Sequence, residues 1–189
     1  MARQSYPGRM TDIEWLRLDR QICFSLHAAS RAFNGVYRVV LKDLGLTYPQ
    51  YLVMLVLWEQ GDLPVKALGE HLRLDSGTLS PLVKRLEGAG LVRRERSAQD
   101  ERSVRVRLTE EGAALRERAL EVPRRIMGAT GFDLAEIGEL RERLDRLTTA
   151  LDAAAAAEAA ADEAHQPPAA GHGRTAVRPS RPAGSPASR

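Results

Sequence analysis

The segment VKALGEHLRLDSGTLSPLVKRLEGAGLVRRERSAQDERSVRVRLT, residues 65–109, decides the fold of this 189-residue chain. Val65, Leu68 and Leu72 lie at helical spacing, and the turn LDS separates them from a second helical stretch. That stretch has one predicted buried face and two helix-stop glycines: Leu79, Leu82, Val83, Leu86, Gly88 and Gly90. Two short helices joined by a tight turn predict a helix-turn-helix. Pro81 requires that the second helix begin near residues 76–78 or be locally distorted.

A β-hairpin is predicted directly after these helices. The segments 91–96 and 103–109 flank a polar loop, and Val104, Val106 and Leu108 alternate with arginines in the second segment. Thr109 then caps a further helix, which Pro123 is expected to kink. Upstream, Pro49 opens an apolar and therefore central helix that runs through Trp58.

Long helices are predicted at both ends of this core. The first has an apolar stripe and runs to about residue 42, with members Ile22, Leu26, Ala29, Phe33, Val36 and Val40. The last opens at Asp133 and carries the seam Ile137, Leu140, Leu144, Leu147 and Leu151. We expect a mainly α fold with a small β-hairpin wing: a winged helix-turn-helix core flanked by long terminal dimerisation helices. The expected divisions are an N-terminal arm (1–15), this domain (16–152) and a disordered Ala/Pro/Gly/Arg-rich tail (153–189).

Composition excludes several classes of protein. One cysteine permits neither an internal disulfide nor a cysteine-rich zinc site, so we predict no metal or other cofactor. The longest apolar run, residues 51–58, is too short to cross a membrane, and no signal peptide is recognisable. We expect a cytoplasmic protein that is not an enzyme and has no catalytic residues. The net charge of +3 says little about partners by itself.

The local distribution of polar side chains predicts binding to double-stranded DNA. Opposite the leucines of the second helix lie the candidate base-reading residues Ser76, Thr78, Ser80, Lys84 and Arg85. The hairpin adds six arginines against three acids, giving +3 in 15 residues: Arg93, Arg94, Arg96, Arg102, Arg105 and Arg107. Such arginines suit a narrow minor groove, although alone they would equally suit a solvated hairpin face.

The terminal helices predict a homodimer. A leucine seam of two heptads favours a partner helix, and a two-fold dimer would place two recognition helices roughly 34–36 Å apart on a pseudopalindromic operator. The alternative is that the last helix packs back on its own chain.

Cys23 is the lone thiol, and two interpretations stay open from the residues. It could fill a gap in the core as a small hydrophobe. It could instead be reactive, because Arg20 and His27 would share its helical face and favour a thiolate, opposed by Asp19. The position matters too: a helix that starts at Asp19 puts Cys23 near the positive dipole end, and one that starts at Thr11 does not.

The sequence LDSGTLSPLVKRLEGAGLVRRERSAQDERSVRVRLTEEG (74–112) resembles the MarR family of bacterial repressors, whose wing carries an Asp and an Arg at Asp100 and Arg102. LDRQICFSLHAASR and LTYPQYLVMLVLWE resemble its organic hydroperoxide sensor branch, of the one-cysteine type. The resemblance covers residues 16–152. It implies that Cys23 is oxidised by an organic hydroperoxide while Tyr37 and Tyr48 of the other subunit bond its sulfur. His27 stands where a third tyrosine is usual.

The resemblance therefore implies a repressor that leaves its operator on oxidation, derepressing a peroxide-detoxification gene. The oxidised sulfur would then form a mixed disulfide with a small cellular thiol. Three alternatives remain: a repressor released by a non-covalent phenolic or drug-like ligand, a thiol peroxidase, and a structural nucleoid protein.

Overall fold

The computed structural model describes residues 12–96 and 104–165. The described helices and strands are, in chain order, α1 Asp12–Trp15, α2 Ile22–Val40, α3 Tyr48–Gln60, β1 Leu63–Pro64, α4 Val65–Leu72, α5 Ser76–Gly88, β2 Val92–Arg96, β3 Val104–Leu108, α6 Glu110–Ala119, α7 Glu121–Thr130 and α8 Leu134–His165. Short 3-10 turns occupy Leu18–Arg20 and Lys42–Leu44. The chain divides into two compact units between Asp133 and Leu134. No described helix is long and apolar enough to cross a membrane.

Helices α4 and α5 form the predicted helix-turn-helix. The turn closes on Gly69, whose carbonyl accepts a bond from the Leu74 N–H at 2.9 Å. A Cβ on Gly69 would lie 2.7 Å from the Leu74 carbonyl oxygen, so only glycine permits this approach. Arg73 ends α4 with φ 53°, in the left-handed region that glycine usually occupies at helix ends.

Helix α5 begins at Ser76, which was the first of the two possibilities that Pro81 left open. Asp75 is its N-cap and accepts from the Thr78 N–H at 2.9 Å. Pro81 lies in the second turn and has no N–H to donate to Gly77. The buried face is Leu79, Val83 and Leu86, with Leu82 half-buried.

Strands β2 and β3 pair antiparallel as predicted, with Val92 opposite Leu108 and Arg94 opposite Val106. The structure adds a third strand that the sequence did not reveal. Leu63 and Pro64 of β1 pair with β3, giving the order β1-β3-β2. A two-residue strand is too short for an alternating pattern to indicate it.

The core lies where α3 packs against the helix-turn-helix and the hairpin. Its fully buried side chains are Leu41, Val53, Met54, Leu57, Leu68, Leu79, Val83, Leu86, Val92 and Val106. Helix α3 contributes three of them, as does α5, and α3 packs against α4, α5, α6 and β3, which agrees with its predicted central place.

The apolar stripe of α2 is not part of this core. Only Val40 of the helix is buried in the single chain, whereas Ile22 is 65% exposed and Phe33 is 41% exposed. For most of its length the stripe is therefore not covered by the core of its own chain, as suits a helix predicted to take part in dimerisation. An amphipathic helix with its apolar side in water indicates a missing partner surface.

Of the C-terminal helices, the one after the hairpin is interrupted close to Pro123, where a kink was expected, and the last one is longer than expected. The helix after the hairpin is interrupted at Leu120, giving α6 and α7, because Pro123 cannot bond the carbonyl of Ala119. Helix α8 continues to His165. The prediction that the chain is disordered from residue 153 onwards was therefore wrong for residues 153–165. Alanine has the highest helix propensity, and that outweighs the lack of large apolar residues there. Residues 166–189 lie outside the described part of the chain.

Candidate DNA interface and thiol site

Helix α5 presents the predicted base-reading side chains on its solvent face. Ser76, Thr78, Ser80, Lys84 and Arg85 are all exposed, while the leucines opposite are buried. This amphipathic division orients the helix, since its buried face is fixed against α3 and α4. The positive side chains lie near its C-terminal end and the hydroxyls near its N-terminal end.

The hydroxyls on α5 already donate within the chain. Thr78 Oγ1 donates to Asp75 Oδ2 at 2.9 Å, and Ser80 Oγ donates to the Ser76 carbonyl at 2.7 Å. Their oxygens keep free lone pairs, so they can still accept from the amino groups of adenine or cytosine in the major groove. The bonds from Thr78 also lower the pKa of Asp75, which keeps the cap ionised.

An open groove of about 910 Å³ runs between α4, α5 and the hairpin. It brings Ser76 and Ser80 to the same surface as Arg94. Its lining combines apolar side chains, Leu79 and Val83 among them, with two further basic residues and two acidic ones: Lys66, Arg73, Glu70 and Asp75. The helix-turn-helix and the wing therefore form one continuous surface.

The hairpin arginines are held by acids of their own chain, which the sequence did not reveal. Arg94 bonds Glu87 of α5 through both its side chain, at 2.6 Å, and its backbone N–H, at 2.9 Å. These bonds lower the pKa of Glu87, the side-chain bond having the larger effect. Arg94, a predicted DNA contact, thus also braces the wing against the recognition helix.

Two further wing arginines are anchored at Asp62. Arg107 pairs with the carboxylate of Asp62 at 2.7 Å and with that of Glu95 at 3.3 Å. Arg105 donates to the backbone carbonyl of Asp62 at 2.7 Å. The net charge counted along the hairpin therefore overstates what is available to phosphates. The predicted contacts Asp100 and Arg102 lie outside the described residues.

Lys84→Gln is expected to weaken operator binding about tenfold and to lower the slope of log affinity against log salt by about one per recognition helix. The reason is that Lys84 is an exposed cation on the face of α5 that is predicted to read the bases. Fluorescence anisotropy at several salt concentrations measures both quantities. Lys42→Gln, a matched change in an exposed 3-10 turn, is the control and should change neither. Equal losses in both variants would contradict the assignment.

Cys23 is the second residue of α2 and is exposed in the single chain. The start at Ile22 answers the question of helix position: Cys23 lies in the first turn, where a helix favours negative charge. Because Cys23 is exposed, it does not fill a gap in the core of its own chain. Arg20 precedes the helix in a 3-10 turn, and Asp19 is paired with Arg17 at 3.0 Å, so the charges around the thiol differ from those expected on one continuous helix.

Tyr37 and Tyr48, the two predicted sensor tyrosines, lie together near the junction of α2 and α3. Their rings stack with centroids 4.2 Å apart, and Tyr51 lies 6.0 Å from Tyr37. Cys23 and Tyr37 are 14 residues apart on one helix, which is about 21 Å along its axis. These tyrosines therefore cannot reach the cysteine of their own chain.

The phenol of Tyr37 is expected to stay protonated well above the ordinary range. Burial, with smaller contributions from Tyr48 and Tyr51, raises its pKa from 10.0 to about 12. The unfolded chain ionises near pH 10 while the folded chain retains the proton, so this contribution to stability is lost as pH rises from about 10 towards 12. Tyrosinate absorbance of wild type minus Tyr37→Phe should show a step near pH 12. A step near pH 10 would contradict the burial of this phenol.

Two aromatic residues that continue this cluster, Tyr51 and Trp58, were not singled out from the sequence. Tyr51 makes an edge contact with Trp58, at 6.3 Å between centroids, and Trp58 Nε1 donates to the Gly112 carbonyl at 2.8 Å. The bond joins residues 54 apart, and no local spacing signals such a contact.

Comparison with known proteins identifies the family. The model of the transcriptional regulators SarA/Rot matches residues 35–118. The organic hydroperoxide resistance transcriptional regulator of Bacillus subtilis is 46% identical over 136 residues, which cover 72% of this chain and 92% of the relative. The HTH-type transcriptional regulator TtmR of Methylorubrum extorquens is 49% identical, covering 71% of this chain and 68% of the relative.

Solved structures of transcriptional regulators have a fold similar to that of this chain. Reduced AbfR bound to DNA is 37% identical with a TM-score of 0.66, over 75% of this chain and 97% of AbfR, a protein of Staphylococcus epidermidis. The relatives are transcriptional regulators rather than enzymes, and the winged helix-turn-helix is common to them. The chain therefore belongs to the MarR family of DNA-binding transcriptional regulators and is similar to the organic hydroperoxide resistance regulators within it.

Proposed function

We propose that this protein is a one-cysteine repressor that detects organic hydroperoxides through Cys23 and then releases its operator. Release would derepress a peroxide-detoxification gene. The observation that carries the proposal is an exposed thiol in the first turn of a helix whose apolar face is largely left uncovered by the described residues. The name of the Bacillus relative supports the choice of organic hydroperoxide as effector.

A homodimer completes the site. The exposed apolar face of α2 would be buried against another apolar surface. A second copy of the chain carries the same apolar face and can supply that surface. Because Tyr37 lies about 21 Å along α2 from the Cys23 of its own chain and stacks against Tyr48, only the tyrosines of a second subunit could bond that sulfur. Two reading helices, one from each subunit, would then suit a pseudopalindromic operator in the cytoplasm.

The chemistry needs one thiolate and no cofactor. The sulfur of Cys23 attacks the terminal oxygen of the hydroperoxide, the O–O bond breaks, and the alkoxide leaves as an alcohol after it takes a proton. Cys23 becomes a sulfenic acid, a two-electron oxidation matched by reduction of the peroxide. A small cellular thiol then attacks that sulfur, water leaves, and a mixed disulfide remains, which further thiol can reverse.

Intact-mass spectrometry tests the chemical step. Wild type treated with one equivalent of cumene hydroperoxide and then free cysteine should gain the mass of one cysteinyl group, and Cys23→Ser should not. The four methionines provide an internal comparison, since unspecific oxidation would add oxygen to both proteins. An unmodified wild type, or equal products in both proteins, would end the redox proposal.

A further inference from the structure

We infer that Trp58 couples the tyrosines that receive the oxidised cysteine to the DNA-reading head, and that its hydrogen bond to Gly112 is the joint between them. The DNA-reading head here means α4, α5, β2 and β3. The inference rests on the proposed function, since it describes how a change at the tyrosines reaches the DNA.

The first part of the path is a continuous set of aromatic rings. Tyr37 of α2 contacts both Tyr48 and Tyr51 of α3, at 4.2 and 6.0 Å between centroids. Tyr51 is 2% exposed and touches Trp58 at 6.3 Å. Tyr51 and Trp58 are seven residues apart, which places them on one face of α3, two turns from each other. A change in the position of Tyr37 therefore acts on a ring that is almost fully buried in a packed core.

The second part of the path leads from α3 to the root of the wing. Trp58 Nε1 donates to the Gly112 carbonyl at 2.8 Å. Gly112 in turn lies so close to the Leu91 carbonyl that a Cβ there would be 1.9 Å from its oxygen. A shift of Gly112 cannot be absorbed locally, because the two backbones are already in contact.

Leu91 is the point where the recognition helix meets the wing. Its N–H donates to the Leu86 carbonyl at the end of α5, at 3.0 Å, and its carbonyl accepts from the Thr109 N–H, at 3.1 Å. Thr109 Oγ1 also donates to the Gly90 carbonyl at 2.6 Å. Movement of Gly112 would thus be passed to the end of α5 and to both ends of the hairpin together. Such a movement would change the position of the wing relative to α5. DNA affinity depends on this relative position, because both elements have to fit the DNA at the same time.

Trp58→Phe is the main test, because it keeps an aromatic ring against Tyr51 and removes the N–H that bonds Gly112. The measured quantity is the ratio of operator affinities, reduced over oxidised, after cumene hydroperoxide and free cysteine. We expect the reduced variant to bind its own upstream DNA nearly as well as wild type, while the ratio falls from about tenfold or more towards one. Trp15→Phe, at an exposed position, is the matched control and should keep the wild-type ratio.

A ratio in Trp58→Phe equal to that of wild type would overturn the inference. So would a parallel loss of affinity in both redox states, because that would show a structural role only. If wild type itself does not release DNA although mass spectrometry shows oxidised Cys23, the proposed function fails rather than the coupling.

A second measurement tests the coupling if oxidised wild type does not release DNA, or if Trp58→Phe does not fold. Trp15→Phe leaves Trp58 as the single tryptophan, since the chain has two, and excitation at the long-wavelength edge of the indole band avoids the tyrosines. Operator binding should then shift the emission of Trp58, because the DNA-reading head and the indole are connected through Gly112. An emission spectrum unchanged by saturating operator would overturn the inference.

Discussion

Gly112→Ala is expected to lower the free energy of unfolding by about 3 kcal/mol, because a new Cβ has nowhere to go in a packed interior. The built Cβ lies 1.9 Å from the Leu91 carbonyl oxygen and 2.9 Å from its carbon, and both atoms belong to backbone. The Thr109 N–H bonds that same oxygen, and Trp58 bonds the Gly112 carbonyl, so relief of the clash breaks contacts on both sides. Thermal unfolding followed by circular dichroism should show a melting temperature lower by roughly 6–12 °C.

Gly128→Ala is the matched control for this experiment. Gly128 is a helical glycine in α7 with no atom within 4 Å of a built Cβ. Alanine there should stabilise the protein by about 0.5–1 kcal/mol, because it restricts the unfolded chain and suits a helix. A Gly112→Ala protein as stable as wild type would show that α6 and the wing root are not packed as described.

Cys23→Ser is expected to produce a repressor that no longer responds to organic hydroperoxide. Serine is close in size to cysteine and is not oxidised, and the residue lies far in the sequence from the reading face of α5. Basal repression should therefore be kept while induction is lost. A reporter gene behind the chain's own upstream DNA should rise about tenfold or more with wild type after cumene hydroperoxide and stay silent with the variant.

Ser25→Ala serves as the comparison in the reporter experiment, because it removes a neighbouring exposed polar atom of α2 without touching the thiol. It should be induced like wild type. Full induction of Cys23→Ser would instead favour a repressor released by a non-covalent ligand, which is the alternative that keeps the same fold.

Periodic and capping signals were sufficient to predict the winged helix-turn-helix. Leu79, Val83 and Leu86 repeat at helical spacing, Thr109 caps α6, and the valines of β3 alternate, so each element is encoded within its own segment. Contacts between distant segments were not accessible in this way. The bonds from Trp58 to Gly112 and from Arg107 to Asp62 depend on how the elements pack, and no spacing within either segment indicates them.

The same distinction applies to the apolar face of α2 and to the length of the last helix. Periodicity showed that Ile22 and Phe33 share one face, but it cannot tell whether that face is covered by the same chain or by another. Composition suggested disorder after Ala153, whereas the helix propensity of alanine, propagated from an existing helix, is enough to extend α8 to His165. The local pattern was recognised in both helices, but it did not predict the full length of α8.

The central claim is that oxidation of Cys23 releases DNA, and fluorescence anisotropy tests it most directly. Reduced wild type and Cys23→Ser are bound to labelled upstream DNA at a stated salt concentration, and one equivalent of cumene hydroperoxide plus free cysteine is added. The account predicts that wild type dissociates, that added dithiothreitol restores binding, and that Cys23→Ser stays bound throughout. Wild type that stays bound while mass spectrometry shows the mixed disulfide at Cys23 would contradict it.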